Sequence, residues 1–125
     1  MFKKNKTSLN YVDYTPSHNP KYKWDTKQAD NNTTIVTIYI ERNTLSDKFA
    51  QKYFKKPKVT KVDLDKFGSF VWLKINGEKT IFQIGQEIKT EYGESVEPLY
   101  ERLATFIEIL RKNQFITLEK PLQKQ

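Results

Sequence analysis

The stretch Leu64-Asp65-Lys66-Phe67-Gly68-Ser69-Phe70-Val71-Trp72-Leu73-Lys74-Ile75-Asn76-Gly77-Glu78-Lys79-Thr80 decides the fold of this chain. It runs from the end of a strand through one amphipathic helix and a glycine turn to the cap of a second helix. Asp65 is placed to accept hydrogen bonds from the first free backbone N–H groups of the helix that follows it. Phe67, Phe70, Val71 and Ile75 recur at helical spacing, so one face is apolar and requires cover. Asn76-Gly77 supplies the left-handed conformation that ends this helix. Thr80 and Gln83 form the pattern of a capping box opening the next one. None of these parts is chemically reactive. They build a scaffold, and function lies in what the scaffold presents.

Upstream of this stretch, residues 1–20 contain Asn10, Pro16, Asn19 and Pro20 without a clear period and read as an extended arm. Lys21 to Asp25 alternates polar with aromatic residues, as a short half-buried strand does. Asp30-Asn31-Asn32 is turn chemistry. Thr33 to Ile40 is the strongest strand, with Val36, Ile38 and Ile40 on one face, so a hairpin is expected. Thr44 to Lys56 reads as a helix with Phe49, Tyr53 and Phe54 on one side and lysines on the other, stopped by Pro57. Val59 to Leu64 is the third strand, Val62 and Leu64 inward, Lys61 and Asp63 outward.

Downstream, a second helix spans Ile81 to Tyr92, with Ile81, Ile84 and Ile88 inward and Gly93 as its stop. The third carries one apolar stripe of Val96, Leu99, Tyr100, Leu103, Phe106, Ile107 and Leu110, with Ser95 as the expected cap. Phe115 to Leu118 adds a short last strand. The sequence thus predicts an α+β fold, a small winged helix-turn-helix-like domain with a three-stranded antiparallel sheet and a three-helix bundle. The expected organisation is an arm at 1–20, a domain at 21–118 with a basic helical insertion at 43–58, and a tail at 119–125.

Composition narrows the function. The chain of 125 residues has no cysteine, which removes disulfides and thiolate chemistry. The basic start Phe2-Lys3-Lys4-Asn5-Lys6 has no apolar run behind it, so a secretory signal is not expected. No segment offers the apolar length of a membrane span, and a cytoplasmic protein is the expectation. The net charge of +7 is uneven: residues 1–27 carry +4 and residues 43–61 carry +5, whereas the helical residues 62–125 are nearly balanced. His18, the single histidine, falls in the arm and reads as solvated; no phosphate-cradling loop, nucleophile elbow or metal-ligand cluster accompanies it. Catalysis is therefore not expected. A winged-helix nucleic-acid-binding or regulatory protein is the alternative, but the third helix balances Glu97, Glu101 and Glu108 against Arg102, Arg111 and Lys112, which disfavours a nucleic-acid reading head.

The pattern L-D-x-x-G-S-x-V-W-x-x-I-x-G-x-x-T at Leu64 to Thr80, continued by Ile84, Tyr92, Leu103, Leu110 and Phe115-Ile116, resembles the PqqD family, the RiPP recognition elements. The likeness covers residues 59–118. It implies a winged-helix-like domain that binds the leader segment of a ribosomally made precursor peptide and brings it to a modifying enzyme, often a radical SAM enzyme, with no cofactor of its own. In the family the leader adds beside the third strand and rests against the third helix. Carried onto this sequence, the implied contacts are Val59, Thr60, Lys61, Val62, Asp63 and Leu64 on the strand, and Leu99, Arg102, Leu103 and Phe106 on the helix. The long arm and the insertion exceed the minimal family domain.

Strand addition also has its own physical basis, because an edge strand exposes unpaired N–H and C=O groups. The opposing reading is that Val59 to Leu64 pairs internally and the third helix's stripe is all core. Lys52, Lys55, Lys56 and Lys58 form a basic patch suited to guiding an acidic partner. A homodimer stays open. A proline at Val62 is expected to damage binding if the strand's N–H groups serve the peptide, and to unfold the domain if they pair internally.

Overall fold

The computed structural model describes residues 11–41 and 59–121. The expected helix at 44–56 and the patch residues Lys52, Lys55, Lys56 and Lys58 lie outside them, as do residues 1–10 of the arm. In chain order the elements are β1 (Thr15–His18), β2 (Lys23–Gln28), β3 (Thr34–Glu41), β4 (Val59–Asp63), α1 (Lys66–Lys74), α2 (Ile81–Tyr92), α3 (Leu99–Lys112) and β5 (Ile116–Glu119). Among the described residues the fold is α+β, with a three-stranded antiparallel sheet in the order β2-β3-β4 and three helices. A two-stranded sheet pairs β1 with β5. The described residues form two compact units, a sheet unit within 20–69 and a helical unit of 11–19 with 70–121.

In the sheet unit, β2 and β3 make the expected hairpin around a 3-10 turn at Asp30–Asn32. β-Branched residues at Thr34, Ile35, Val36, Thr37, Ile38 and Ile40 suit β3, the central strand. Val36 and Ile38 are fully buried on one face. Burial falls off toward the edge, where Ile40, Val62 and Leu64 are only partly covered.

The helical unit is built from the periodicities read above. Ile81, Ile84 and Ile88 of α2 and Leu99, Leu103, Ile107 and Leu110 of α3 are buried. Each such aliphatic side chain contributes about 1.5–3 kcal/mol of transfer free energy. Thr80 Oγ1 accepts from the Gln83 N–H at 3.1 Å, and the Gln83 carboxamide accepts from the Thr80 N–H at 2.8 Å, completing the capping box. Asn76 Oδ1 accepts from the N–H groups of Glu78 and Lys79, and Gly77 takes φ +81°.

Three sequence expectations change. The segment 15–18, expected as part of the arm, is β1, paired with β5 in the register Thr15 with Glu119 to His18 with Ile116. Pro16 is tolerated because its position faces away from β5 hydrogen bonding, and its carbonyl accepts the Gly77 N–H at 3.2 Å. His18 is not solvated: its ring stacks on Trp72 at 4.1 Å, and Nε2 lies 2.9 Å from the Trp72 carbonyl oxygen. Finally, α3 starts at Leu99 and Ser95 does not cap it. Gly93–Val96 is a 3-10 turn in which Ser95 donates to the Tyr92 carbonyl, and Glu97 Oε1 accepts the Leu99 N–H at 3.0 Å instead.

Candidate functional site

β4 lies at one margin of the sheet, paired with β3 from Thr37–Asp63 to Glu41–Val59. Which of its backbone groups face outward follows from one further bond. The Leu64 N–H donates to the Val36 carbonyl at 2.8 Å, so Val36 and Leu64 form a hydrogen-bonded pair one step beyond the strand. In an antiparallel ladder hydrogen-bonded and non-hydrogen-bonded pairs alternate. Val62 with Ile38 and Thr60 with Ile40 are therefore the bonded pairs. The N–H and C=O groups of Val59, Lys61 and Asp63 point to the open side. The other side of β3 agrees: the Ala29 N–H donates to Thr33 at 2.7 Å, placing the odd-numbered residues of β3 toward β2. Among the described residues, no strand pairs with the outer edge of β4.

The end of that edge is fixed by the Leu64-Asp65-x-x-Gly68-Ser69 motif. Asp65 Oδ1 accepts the Gly68 N–H at 2.7 Å, capping α1. Ser69, with 0% exposure, accepts the Val36 N–H on its hydroxyl at 2.8 Å and donates that hydroxyl to the Leu64 carbonyl at 3.2 Å. The serine thus stands between the partners of the last ladder pair, and the turn into α1 replaces one strand–strand bond with two bonds through a side chain. A glycine-serine step in the first turn of a helix is the only trace of this in the sequence. Pairing it with Val36, 33 residues away, required the fold.

The side chains divide by face. Thr60, Val62 and Leu64 lie on the partly covered apolar side; Lys61 and Asp63 are exposed on the other. Asp63 is already engaged, by Lys27 Nζ at 2.8 Å and by the Thr37 hydroxyl at 2.7 Å. These two bonds, Lys27 first, hold its carboxyl below the usual range. Lys61 Nζ sits 5.9 Å from the centre of the Tyr39 ring and has no carboxylate within ion-pair distance among the described residues.

The residues named on the third helix separate in the same way. Leu99 and Leu103, at 1% and 0% exposure, are interior side chains. Arg102 is exposed, with Nη1 donating to the Val96 carbonyl at 3.2 Å, and Phe106 is half-buried. Ile109, 50% exposed, shares their flank at helical spacing and was missed in the sequence because it lies off the main stripe. Elsewhere in the helical unit a shallow depression is lined by Tyr11, Glu108, Arg111 and Leu118. It is a weaker candidate, because Tyr11 and Arg111 both already donate to Glu108.

A family model described as Coenzyme PQQ synthesis protein D (PqqD) matches residues 40–116, a span that contains β4 and its Ser69 anchor. The chain belongs to the PqqD family. No curated protein and no solved structure matches it. Membership in the PqqD family carries, in general, the role of an accessory partner to a peptide and its modifying enzyme. No helix among the described residues is long and apolar enough to cross a membrane.

Proposed function

We propose that this PqqD-family chain is a non-catalytic adaptor that binds the leader segment of a precursor peptide by strand addition to β4 and delivers it to a modifying enzyme of the radical SAM type. The observation that carries this reading is the row of outward backbone groups at Val59, Lys61 and Asp63. An extended peptide satisfies them with main-chain hydrogen bonds, and alternate side chains supply selectivity. The resemblance also implies contacts from Leu99, Arg102, Leu103 and Phe106 of α3, of which Arg102 is exposed and Phe106 half-buried.

The ladder phase also selects the experiment. A proline at Val62 removes a hydrogen bond internal to the sheet, so it tests folding. Lys61→Pro removes an N–H that faces the open edge and leaves the β3–β4 bonds in place, a position where an edge strand accepts proline. The tagged protein is used to capture short peptides from source-cell lysate under nuclease treatment, with mass spectrometry as the readout. The captured peptide is then titrated into wild type and Lys61→Pro. A loss of about tenfold or more in affinity, with the melting temperature retained, is expected. Unchanged affinity would refute strand addition at this edge.

A further inference from the structure

Resting on the strand-addition reading, we infer that the edge of β4 selects a segment with one acidic side chain beside Lys61, flanked on both sides by apolar residues. The face and register of every position follow from the ladder. Because the Lys61 backbone points outward, the added residue beside it exchanges main-chain bonds with Lys61 and projects its side chain onto the same face. The immediate neighbours of that residue project to the opposite face, beside Thr60 and Val62.

The charges on the outer face are not equivalent. Asp63 is held by Lys27 and Thr37, and Asp25 by the Tyr39 hydroxyl at 2.9 Å, so both carboxylates are already engaged. Lys61 is the cation on β4, with the Tyr39 ring beside it and no carboxylate partner among the described residues. An incoming carboxylate therefore gains an ion pair, whereas an incoming ammonium meets a like charge. On the inner face Val62 and Leu64 are only partly covered, while Val36 and Ile38 beside them are fully buried. Apolar side chains on the flanking positions extend that buried face by one strand. The occupant is thus an apolar-acidic-apolar peptide. A second copy of the chain is disfavoured, since a β4–β4 pair centred on Lys61 sets two ammonium groups opposite each other.

The test uses short capped peptides of Val-X-Val centre, with X as Asp, Asn or Lys and threonine on the remaining outer positions, titrated to millimolar concentration. Amide exchange and chemical shifts of the full chain report where they bind. In the free protein the N–H groups of Lys61 and Asp63 should exchange fast, and those of Thr60 and Val62 slowly. The expected order of affinity is Asp, then Asn, then Lys, with about threefold to tenfold between the extremes at low salt, shrinking as salt rises. Lys61→Glu should reverse the order, and Lys61→Gln, which adds no new charge, should abolish it. Equal affinities with protection of Lys61 and Asp63 would leave strand addition standing and overturn the charge selectivity. Protection of Trp24 and Thr26 on β2 instead, fast-exchange failure at Lys61 in the free protein, or no protection by any peptide would overturn the strand-addition reading and this inference with it.

Discussion

Ser69→Ala is the sharpest probe of the structure behind the site. The substitution deletes one oxygen that is fully buried and serves two backbone groups, the Val36 N–H at 2.8 Å and the Leu64 carbonyl at 3.2 Å. A buried group left without its partner costs about 1–3 kcal/mol, and the longer bond to Leu64 belongs at the low end. Alanine returns about 0.5 kcal/mol of helix propensity in α1. The expected net loss is about 2–3 kcal/mol, a large fraction of the roughly 5–15 kcal/mol that holds a domain together. For a chain of this size that corresponds to a melting temperature lower by about 6–15 °C. Urea unfolding at constant m-value measures the free energy, and amide exchange at Val36 locates the damage. Ser95→Ala is the matched control, since the Ser95 hydroxyl donates to the Tyr92 carbonyl at 2.8 Å on an exposed surface, and its loss should cost under about 0.5 kcal/mol. If Ser69→Ala costs no more than that control, the serine does not anchor the end of the ladder.

Other perturbations address the helical unit. Thr80→Ala removes the acceptor of the capping box and should lower stability by about 1 kcal/mol, read by urea unfolding; a neutral result would show that the Gln83 half suffices alone. Gly77→Ala places a Cβ at φ +81° and 3.2 Å from Ser17 Oγ, and a loss of about 1–2 kcal/mol is expected in the same assay. Burial lowers the pKa of His18, with the bond to the Trp72 carbonyl opposing it. The unfolded chain therefore takes up the proton first, so this stabilisation is complete above about pH 6.5 and is lost as pH falls toward the native value. The melting temperature should fall as pH drops below about 6.5, and His18→Gln should flatten that slope. An unchanged slope would remove His18 as its source.

The α+β architecture was legible because most of its signals are local. The β-branched run of β3, the stripe of α3 and the Thr80–Gln83 cap each lie within a few residues, and each formed as read. Periodicity was less reliable for α1: Trp72 is buried while Phe67 and Phe70 are only partly so, because the His18 ring covers the indole. The start of α3 lies three residues beyond the expected one, since Ser95 satisfies a neighbouring carbonyl and the chain turns once more before Pro98. For the candidate site, the strand and its two faces were readable, but separating buried Leu99 and Leu103 from exposed Arg102 required the tertiary structure.

By itself the sequence determined the order of β2 to β5 and α1 to α3, the family and the polarity of each face of β4, because spacing and residue type are local properties. The tertiary structure decided what depends on partners far along the chain. The pairing of β1 with β5 rescues a proline-containing segment from the arm. Ser69 reaches Val36 across 33 residues. The bond from the Leu64 N–H to the Val36 carbonyl marks the phase of the ladder, and that phase makes Lys61, rather than Val62, the residue that offers its N–H to the open edge. With Val62 and Leu64 facing inward, the backbone groups left outward depend on which side of β4 its partner β3 lies, and no local pattern in the sequence records that.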